Sequence, residues 1–250
     1  MIRVAPQPEL ADVLEHHWVV RWDRREMPVL RRELLPDPSV NLVVEPGGAL
    51  LYGVGSGHAV RELRGRGTAI GTKFRPGGFS GFRPGPVSAI SGRALTMSDA
   101  FGPPGAELDG ALAAAHWDVG ATIVAVSSFL RVRRPAADPQ RALVMAVLDA
   151  MRVAESSVRV TDLAAHFAIS PRTMQRLFGR HVGTSPKQVL QRLRRQQAID
   201  RLSDEPVQLA ELAAALGYFD QAHLARDFRA TLGRSPSAVS AHAAQSDHGA

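Results

Sequence analysis

The chain has 250 residues, 45% of them hydrophobic, enough to bury one large core or two ordinary ones without a disulfide or metal staple. It contains no cysteine, which excludes disulfide frameworks, thiolate zinc sites, thiol redox sensing and cysteine nucleophiles. Thirty Lys and Arg against 24 Asp and Glu give a formal charge of +6, a balance that favours an anionic partner, nucleic acid or anionic lipid, without choosing between them.

The opening Met1-Ile2-Arg3-Val4-Ala5-Pro6 has neither a basic start nor an apolar signal core. The best apolar run, residues 121–130, is too short to span a bilayer and holds Ser127 and Ser128. A cytoplasmic protein without membrane contact is expected. Short apolar runs at 18–20, 30–35, 40–44, 49–52 and 68–74 predict strands. Turn signals separate them at Pro36-Asp37-Pro38, Pro46-Gly47-Gly48 and Gly65-Arg66-Gly67. Strands of this length and spacing suggest a barrel or sandwich.

After Gly102-Pro103-Pro104-Gly105 the pattern turns helical, with helices predicted over 106–116 and 119–133. Leu108, Leu112 and Ala115 form an apolar stripe on the first, and Ile123, Val126 and Leu130 on the second. The stripes suit either a dimer interface or packing back onto the strands. Pro135-Ala136-Ala137-Asp138-Pro139 breaks the pattern, and beyond it nearly everything reads as helix up to a polar, frayed tail at 245–250. The expected class is α+β: a β-rich domain with flanking helices over 1–134, a linker at 135–139, and an all-α domain over 140–250.

The helical half repeats itself at about 50 residues. Arg176 and Phe178 recur as Arg226 and Phe228, and Gly183, Ser185, Pro186 and Val189 as Gly233, Ser235, Pro236 and Val239. Leu163-Ala164-Ala165 matches Leu212-Ala213-Ala214. Solenoids generally need three or more units, so two copies suggest a duplicated supersecondary unit. In the first copy a short helix at 160–167 is followed by a tight turn at Ala168-Ile169. Ser170 then caps a second helix, with Pro171 at its first position, where a missing N–H costs nothing. Met174, Leu177 and Phe178 fall on one face, and Arg172, Gln175, Arg176 and Arg180 on the other. This is a helix-turn-helix pattern with hydrogen-bond donors on its exposed side, as reading base edges in a major groove requires. In the second copy Leu209, Leu212 and Ala213 form the first helix and Asp220 caps the next. Leu224 and Phe228 face inward; Gln221, Ala222, His223 and Arg226 face outward.

From 171 to 201 there are eight basic residues, Arg172, Arg176, Arg180, Lys187, Arg192, Arg194, Arg195 and Arg201, against the single acidic Asp200. The segment's charge of +7 exceeds that of the whole chain, so the basic excess is concentrated here. A basic amphipathic helix is most often a solvated face. Two capped copies in register, with charge focused between them, argue for DNA instead.

Residues of about 157–241 resemble the DNA-binding domain of the AraC/XylS family of bacterial transcription regulators. The resemblance is carried by Gly217-Tyr218-Phe219-Asp220-Gln221-Ala222-His223-Leu224-Ala225-Arg226-Asp227-Phe228 and by Gly233-Arg234-Ser235-Pro236. Tyr218 and Leu224 each stand where the family commonly has Phe. Asp227 occupies a position often small or neutral and is expected to put negative charge near the interface. The resemblance implies two helix-turn-helix units bridged by a central helix, entering successive major grooves of double-stranded DNA. By position the base readers are Arg172, Gln175 and Arg176 in the first unit and Gln221, Ala222, His223 and Arg226 in the second. Arg180, Lys187 and Arg229 are phosphate contacts, which position without specifying. Activation and repression are equally compatible with these residues. RNA polymerase, a small-molecule effector and a second copy of the chain are further candidate partners.

The N-terminal half resembles the β-rich domain found before some members of this family, through residues 37–44 and 71–78 and the opening around Trp18. A cupin-like barrel that binds an effector or dimerises is the expectation by analogy. Trp18, Trp22, Tyr52, Phe74 and Phe79 are candidate pocket residues, though such aromatics are more often core. Residues 53–57 lack a G-x-G-x-x-G pattern, so nucleotide binding is disfavoured. His16, His17, His58 and His116 lack metal-ligand spacing, so neither metal nor cofactor is expected. No nucleophile elbow or carboxylate pair marks an enzyme. The rival readings are an enzyme domain fused to a DNA-binding tail, and a ligand-blind interaction domain in place of the sensor.

Overall fold

A computed structural model describes residues 1–34, 37–55, 59–154, 158–204 and 207–239. Leu35, Pro36, His58 and the tail at 245–250 lie outside the described residues. The first part is an antiparallel β structure. Strands β1 (Ile2–Val4), β2 (Leu14–Arg24), β4 (Asn41–Glu45), β5 (Gly48–Tyr52), β7 (Gly65–Phe74) and β8 (Ala94–Thr96) form one sheet in the order β1-β2-β7-β4-β5-β8. Strands β3 (Leu30–Leu34) and β6 (Ala59–Leu63) pair as a separate ribbon. The pairings among the described residues leave β1 and β8 as edges, so the large sheet is open rather than a closed barrel.

The two faces of the sheet follow from strand alternation. One cross-strand row runs His17, Thr72, Leu42, Leu51 and Leu95, all buried. Its polar members satisfy each other and the covering helix: His17 Nδ1 lies 2.9 Å from Thr72 Oγ1, and His17 Nε2 lies 3.4 Å from Ser127 Oγ. Burial pulls the His17 imidazole below its ordinary pKa and keeps it neutral in this core. The opposite face carries Trp18 over Gly71 and Trp22 over Gly67, where any Cβ would collide with the indole rings. Gly65-Arg66-Gly67 is therefore not a turn, as the sequence suggested, but the opening of β7, and Gly67 is bare because Trp22 lies across it. Arg61, on the ribbon, reaches this face to pair with Glu45 and to donate to the Tyr52 hydroxyl.

Helices α1 (Met97–Phe101), α2 (Pro103–Ala114) and α3 (Val119–Val132) cover the first face. Leu108, Leu112, Val126 and Leu130 are buried against the sheet and Ile123 packs on the same core. Both stripes thus turn inward and are unavailable to a second copy. Phe74 and Phe79 lie in this core too, in edge-to-face contact at 5.1 Å, with Phe82, Phe101 and Phe129 continuing the cluster. These two rings fill the interior rather than face an open pocket.

Among the described residues the helices α4 (Pro139–Val153), α5 (Val160–His166), α6 (Pro171–His181), α7 (Pro186–Asp204), α8 (Leu209–Ala215) and α9 (Gln221–Leu232) follow. They hold two separate cores. Met174, Leu177 and Phe178 of α6 pack with Leu163 and Ala164 of α5 and with Val147 and Leu148 of α4. Leu224, Phe228 and Leu232 of α9 pack with Leu212 and Ala213 of α8 and with Ala198 and Leu202 of α7. Helix α7 contributes to both cores and joins them.

The first helical unit is bolted to the sheet domain. His181 Nδ1 lies 2.7 Å from Ser80 Oγ, and Ser91 Oγ donates to the Gly183 carbonyl at 2.6 Å. Arg141 donates to the Ser80 carbonyl at 3.2 Å. Asp37 sits between Lys73 at 2.7 Å and Arg192 of α7 at 3.0 Å. A cavity of about 400 Å³ opens beside this seam, between Val13 and Gly78 on one side and Pro139, Arg141 and Met145 on the other.

The repeat supplies an internal control for the seam. Gly183 and Gly233 are equivalent, and both close their helices with positive φ, +91° and +67°. A Cβ at Gly233 would meet nothing within 4 Å, whereas one at Gly183 would lie 2.9 Å from Val87 and 3.0 Å from Ser91. Gly233→Ala should therefore cost about 1 kcal/mol of backbone strain. Gly183→Ala should cost that plus roughly 1–3 kcal/mol of overpacking against the sheet domain. Equal losses in denaturant unfolding would show that the seam is not tightly packed in solution.

Candidate nucleic-acid interface

The second helix of each unit owes its exposed face to helical periodicity. On α6 the buried positions Met174, Leu177 and Phe178 leave Arg172, Gln175, Arg176 and Arg180 in solvent. Ser170 caps the helix, its Oγ accepting from the Thr173 amide at 3.1 Å, with Pro171 at the first position. On α9 the buried Leu224, Phe228 and Leu232 leave Gln221, Ala222, His223, Arg226 and Arg229 exposed. Asp220 caps α9, accepting from the His223 amide at 2.6 Å. The turn before each second helix needs a left-handed residue, which is Ala168 (φ +52°) in one unit and Gly217 (φ +70°) in the other.

All seven proposed base readers and the three proposed phosphate contacts, Arg180, Lys187 and Arg229, are exposed. Among the described residues none of these cations pairs with a carboxylate. Arg226 makes one internal bond, from Nε to the Ala222 carbonyl at 3.3 Å, which lays its guanidinium along the helix. The structure thus gathers the first group on α6 and the second on α9. Lys187 stands apart in the first turn of α7.

The basic run is less available than its charge implied. Arg192 is held by Asp37, Arg194 donates to the Val158 carbonyl at 2.8 Å, and Arg195 pairs with Asp227 at 2.8 Å. Three of its eight cations therefore serve the interior. Asp227 also departs from expectation. Its carboxylate turns inward, takes the Arg195 guanidinium on one oxygen and accepts from the Tyr218 hydroxyl at 2.9 Å on the other. Burial, reinforced by Asp227, pushes the Tyr218 phenol far above its ordinary range, so it remains the donor. The negative charge is neutralised inside and does not oppose DNA. Instead Arg195, Asp227 and Tyr218 tie α9 to the central helix.

Sequence reasoning left two features of this region unread: the Arg195–Asp227–Tyr218 tie and the exposed Phe219 that precedes the α9 cap. The first had a signal, an acidic residue at a position otherwise small or neutral. The second had none, because a lone Phe in a turn looks like core.

A helix-turn-helix domain model matches residues 163–242, spanning both units from α5 to the end of α9. Residues 163–242 are an AraC-type helix-turn-helix domain. The preceding sheet, residues 2–96, matches a domain of unknown function, DUF6597. The chain is similar to the HTH-type transcriptional regulator YidL of Escherichia coli, 30% identical over 103 residues, which are 41% of this chain and 35% of that one. It is similar to the XylDLEGF operon transcriptional activator 3 of Pseudomonas putida, 31% identical over 86 residues, 33% of this chain and 26% of that one. The chain therefore matches only about a quarter to a third of the length of these relatives. A transcriptional regulator with an AraC-type DNA-binding domain from Chromobacterium violaceum is 22% identical over 42% of this chain and 95% of that one, with a TM-score of 0.40. No helix among the described residues is long and apolar enough to cross a membrane.

Proposed function

We propose that the protein is a sequence-specific DNA-binding transcription regulator whose AraC-type domain reads double-stranded DNA with α6 and α9. The observation that carries this reading is the duplicated helix-turn-helix, with donor-rich faces turned to solvent on both second helices and, among the described residues, no carboxylate paired to their cations. Arg172, Gln175 and Arg176 present guanidinium and amide groups suited to guanine and adenine edges. Gln221, His223 and Arg226 do the same from α9, and Ala222 offers a methyl to thymine. Arg180, Lys187 and Arg229 contact phosphates and set register. The relatives named above are themselves regulators, which agrees with this reading.

The test is selection of bound fragments from a random DNA library by the full chain, followed by affinity measurements over a range of salt. An enriched site with a steep salt dependence is expected. Alanine at Arg180, Lys187 or Arg229 should weaken binding to all sequences and reduce the salt slope by about one each. No enrichment over non-specific sequence sinks the reading.

For residues 1–134 we infer a regulatory role exerted through the seam. The cavity bounded by Val13, Gly78, Pro139 and Met145 is where a small-molecule effector would bear on both halves at once. A ligand-blind bracing role is the second reading, favoured by the filled interior around Phe74 and Phe79. Isothermal titration of the full chain with a metabolite library separates the two. The work of such a regulator would be done in the cytoplasm, beside RNA polymerase.

A further inference from the structure

Phe219 is 91% exposed, the barest large hydrophobic residue among those described. The other eight phenylalanines of the chain are buried or half-buried. Its backbone is fixed on both sides. Tyr218 before it turns inward to Asp227, and Asp220 after it caps α9. The Phe219 amide itself donates to His223 Nδ1 at 3.3 Å. With Tyr218 directed inward and the cap set, the ring of Phe219 is left outside, at the mouth of α9 and beside exposed Gln221, Ala222 and His223. Leaving an aromatic ring in water forfeits the gain of burying it, a gain that a partner surface at the mouth of α9 would recover.

We propose that Phe219 is a specificity determinant that packs on a thymine methyl group in the major groove. This rests on the reading of α9 as a DNA-reading helix. The N-terminal residues of such a helix approach base edges, and Phe219 directly precedes them. The floor of a major groove presents donors and acceptors on every base pair, and its apolar group is the C5-methyl of thymine. An aromatic ring at the mouth of α9 fits that surface, because it can meet the methyl while Arg229, further along the helix, holds a phosphate.

The experiment uses the full chain and the site it selects from random DNA. Each thymine of that site is replaced in turn by deoxyuridine, which deletes the methyl and leaves every hydrogen-bonding group in place. At one position the wild-type chain should bind about fourfold more weakly to deoxyuridine. Phe219→Ala should weaken binding to the thymine site by a similar factor and abolish the thymine preference at that position. Phe219→Leu should restore part of it. None of these variants should alter the salt slope, since no charge changes. If the wild type shows no methyl dependence, no residue reads a methyl and the inference is wrong; if Phe219→Ala retains the dependence in full, Ala222 or another residue reads it and the inference again fails. If Phe219→Ala binds the site as tightly as wild type, the ring serves a protein surface instead and the inference again fails. If no site is enriched, the DNA-reading proposal falls and takes this inference with it, an outcome distinct from the others.

Discussion

Alanine at both Arg176 and Arg226 should remove site-specific DNA binding while leaving the chain folded. The two arginines occupy equivalent positions of the repeat, one on each second helix, and both are exposed. Neither is paired with a carboxylate among the described residues, so their loss breaks no internal ion pair. Each base contact contributes about 1–3 kcal/mol of discrimination. The double variant should then lose roughly 2–6 kcal/mol at its preferred site, a drop of about thirtyfold to more than ten-thousandfold. Non-specific binding should fall far less, because Arg180, Lys187 and Arg229 remain. Gel-shift or anisotropy titrations against selected and scrambled duplexes give both values. Unchanged affinity for the selected site would show that these two side chains do not read it.

Asp37→Ala should loosen the junction between the sheet domain and the first helix-turn-helix unit. Asp37 keeps only 24% of its side chain exposed and faces two cations, Lys73 and Arg192, from different domains. Deleting it leaves Arg192 half-buried without its carboxylate and Lys73 with Glu15 alone, at a cost of roughly 2–4 kcal/mol in thermal or denaturant unfolding. Burial works to raise the Asp37 pKa, but Lys73 and Arg192 outweigh it and hold the carboxyl below its ordinary range. The unfolded chain therefore binds the proton more readily, and stability from this carboxylate is full above about pH 4 and lost as pH falls through the lowered value. His181 acts earlier. Burial depresses its pKa against the pull of Asp138, so its neutral form stabilises the fold above about pH 6.5 and that stability is lost below it. Acid unfolding should thus steepen first from His181, together with His16 and His17, and later from Asp37. His181→Asn should diminish the first stage and Asp37→Ala the second. A wild-type pH profile reproduced by both variants would remove these residues from the account of the junction.

The helical half was legible because its signals are local. Ser170-Pro171 and Asp220 mark helix starts, and the spacing of Met174, Leu177 and Phe178 assigns the faces without knowledge of neighbours. Those neighbours decide the rest. Arg192, Arg194 and Arg195 read as surface charge because nothing in their own segment reveals that α7 is flanked by a core on either side and by Asp37 across the junction. Asp227 was misplaced for the same reason, since its partner Arg195 lies 32 residues away. Strand β6 was missed because Ala59-Val60-Arg61-Glu62-Leu63 alternates too weakly to announce a strand. It is held by pairing with β3 and by the reach of Arg61 to Glu45. In the sheet, glycine is ambiguous: Pro46-Gly47 makes the expected tight turn, whereas Gly67 and Gly71 are floor tiles for indole rings.

The repeat gives this molecule two similar helix-turn-helix modules, but only one is moored to the sheet domain. Among the described residues no hydrogen bond or ion pair joins α8 or α9 to the sheet domain, while the end of α6 is fastened to it through His181, Gly183 and Ser91. The second module is carried on α7, to which the Arg195–Asp227–Tyr218 tie and the shared core hold it. A change of shape in the sheet domain would move the moored gripper directly and the hanging one only through that single beam. For the regulator proposed above, spacing between the two halves of a target sequence would then be the property most open to such control.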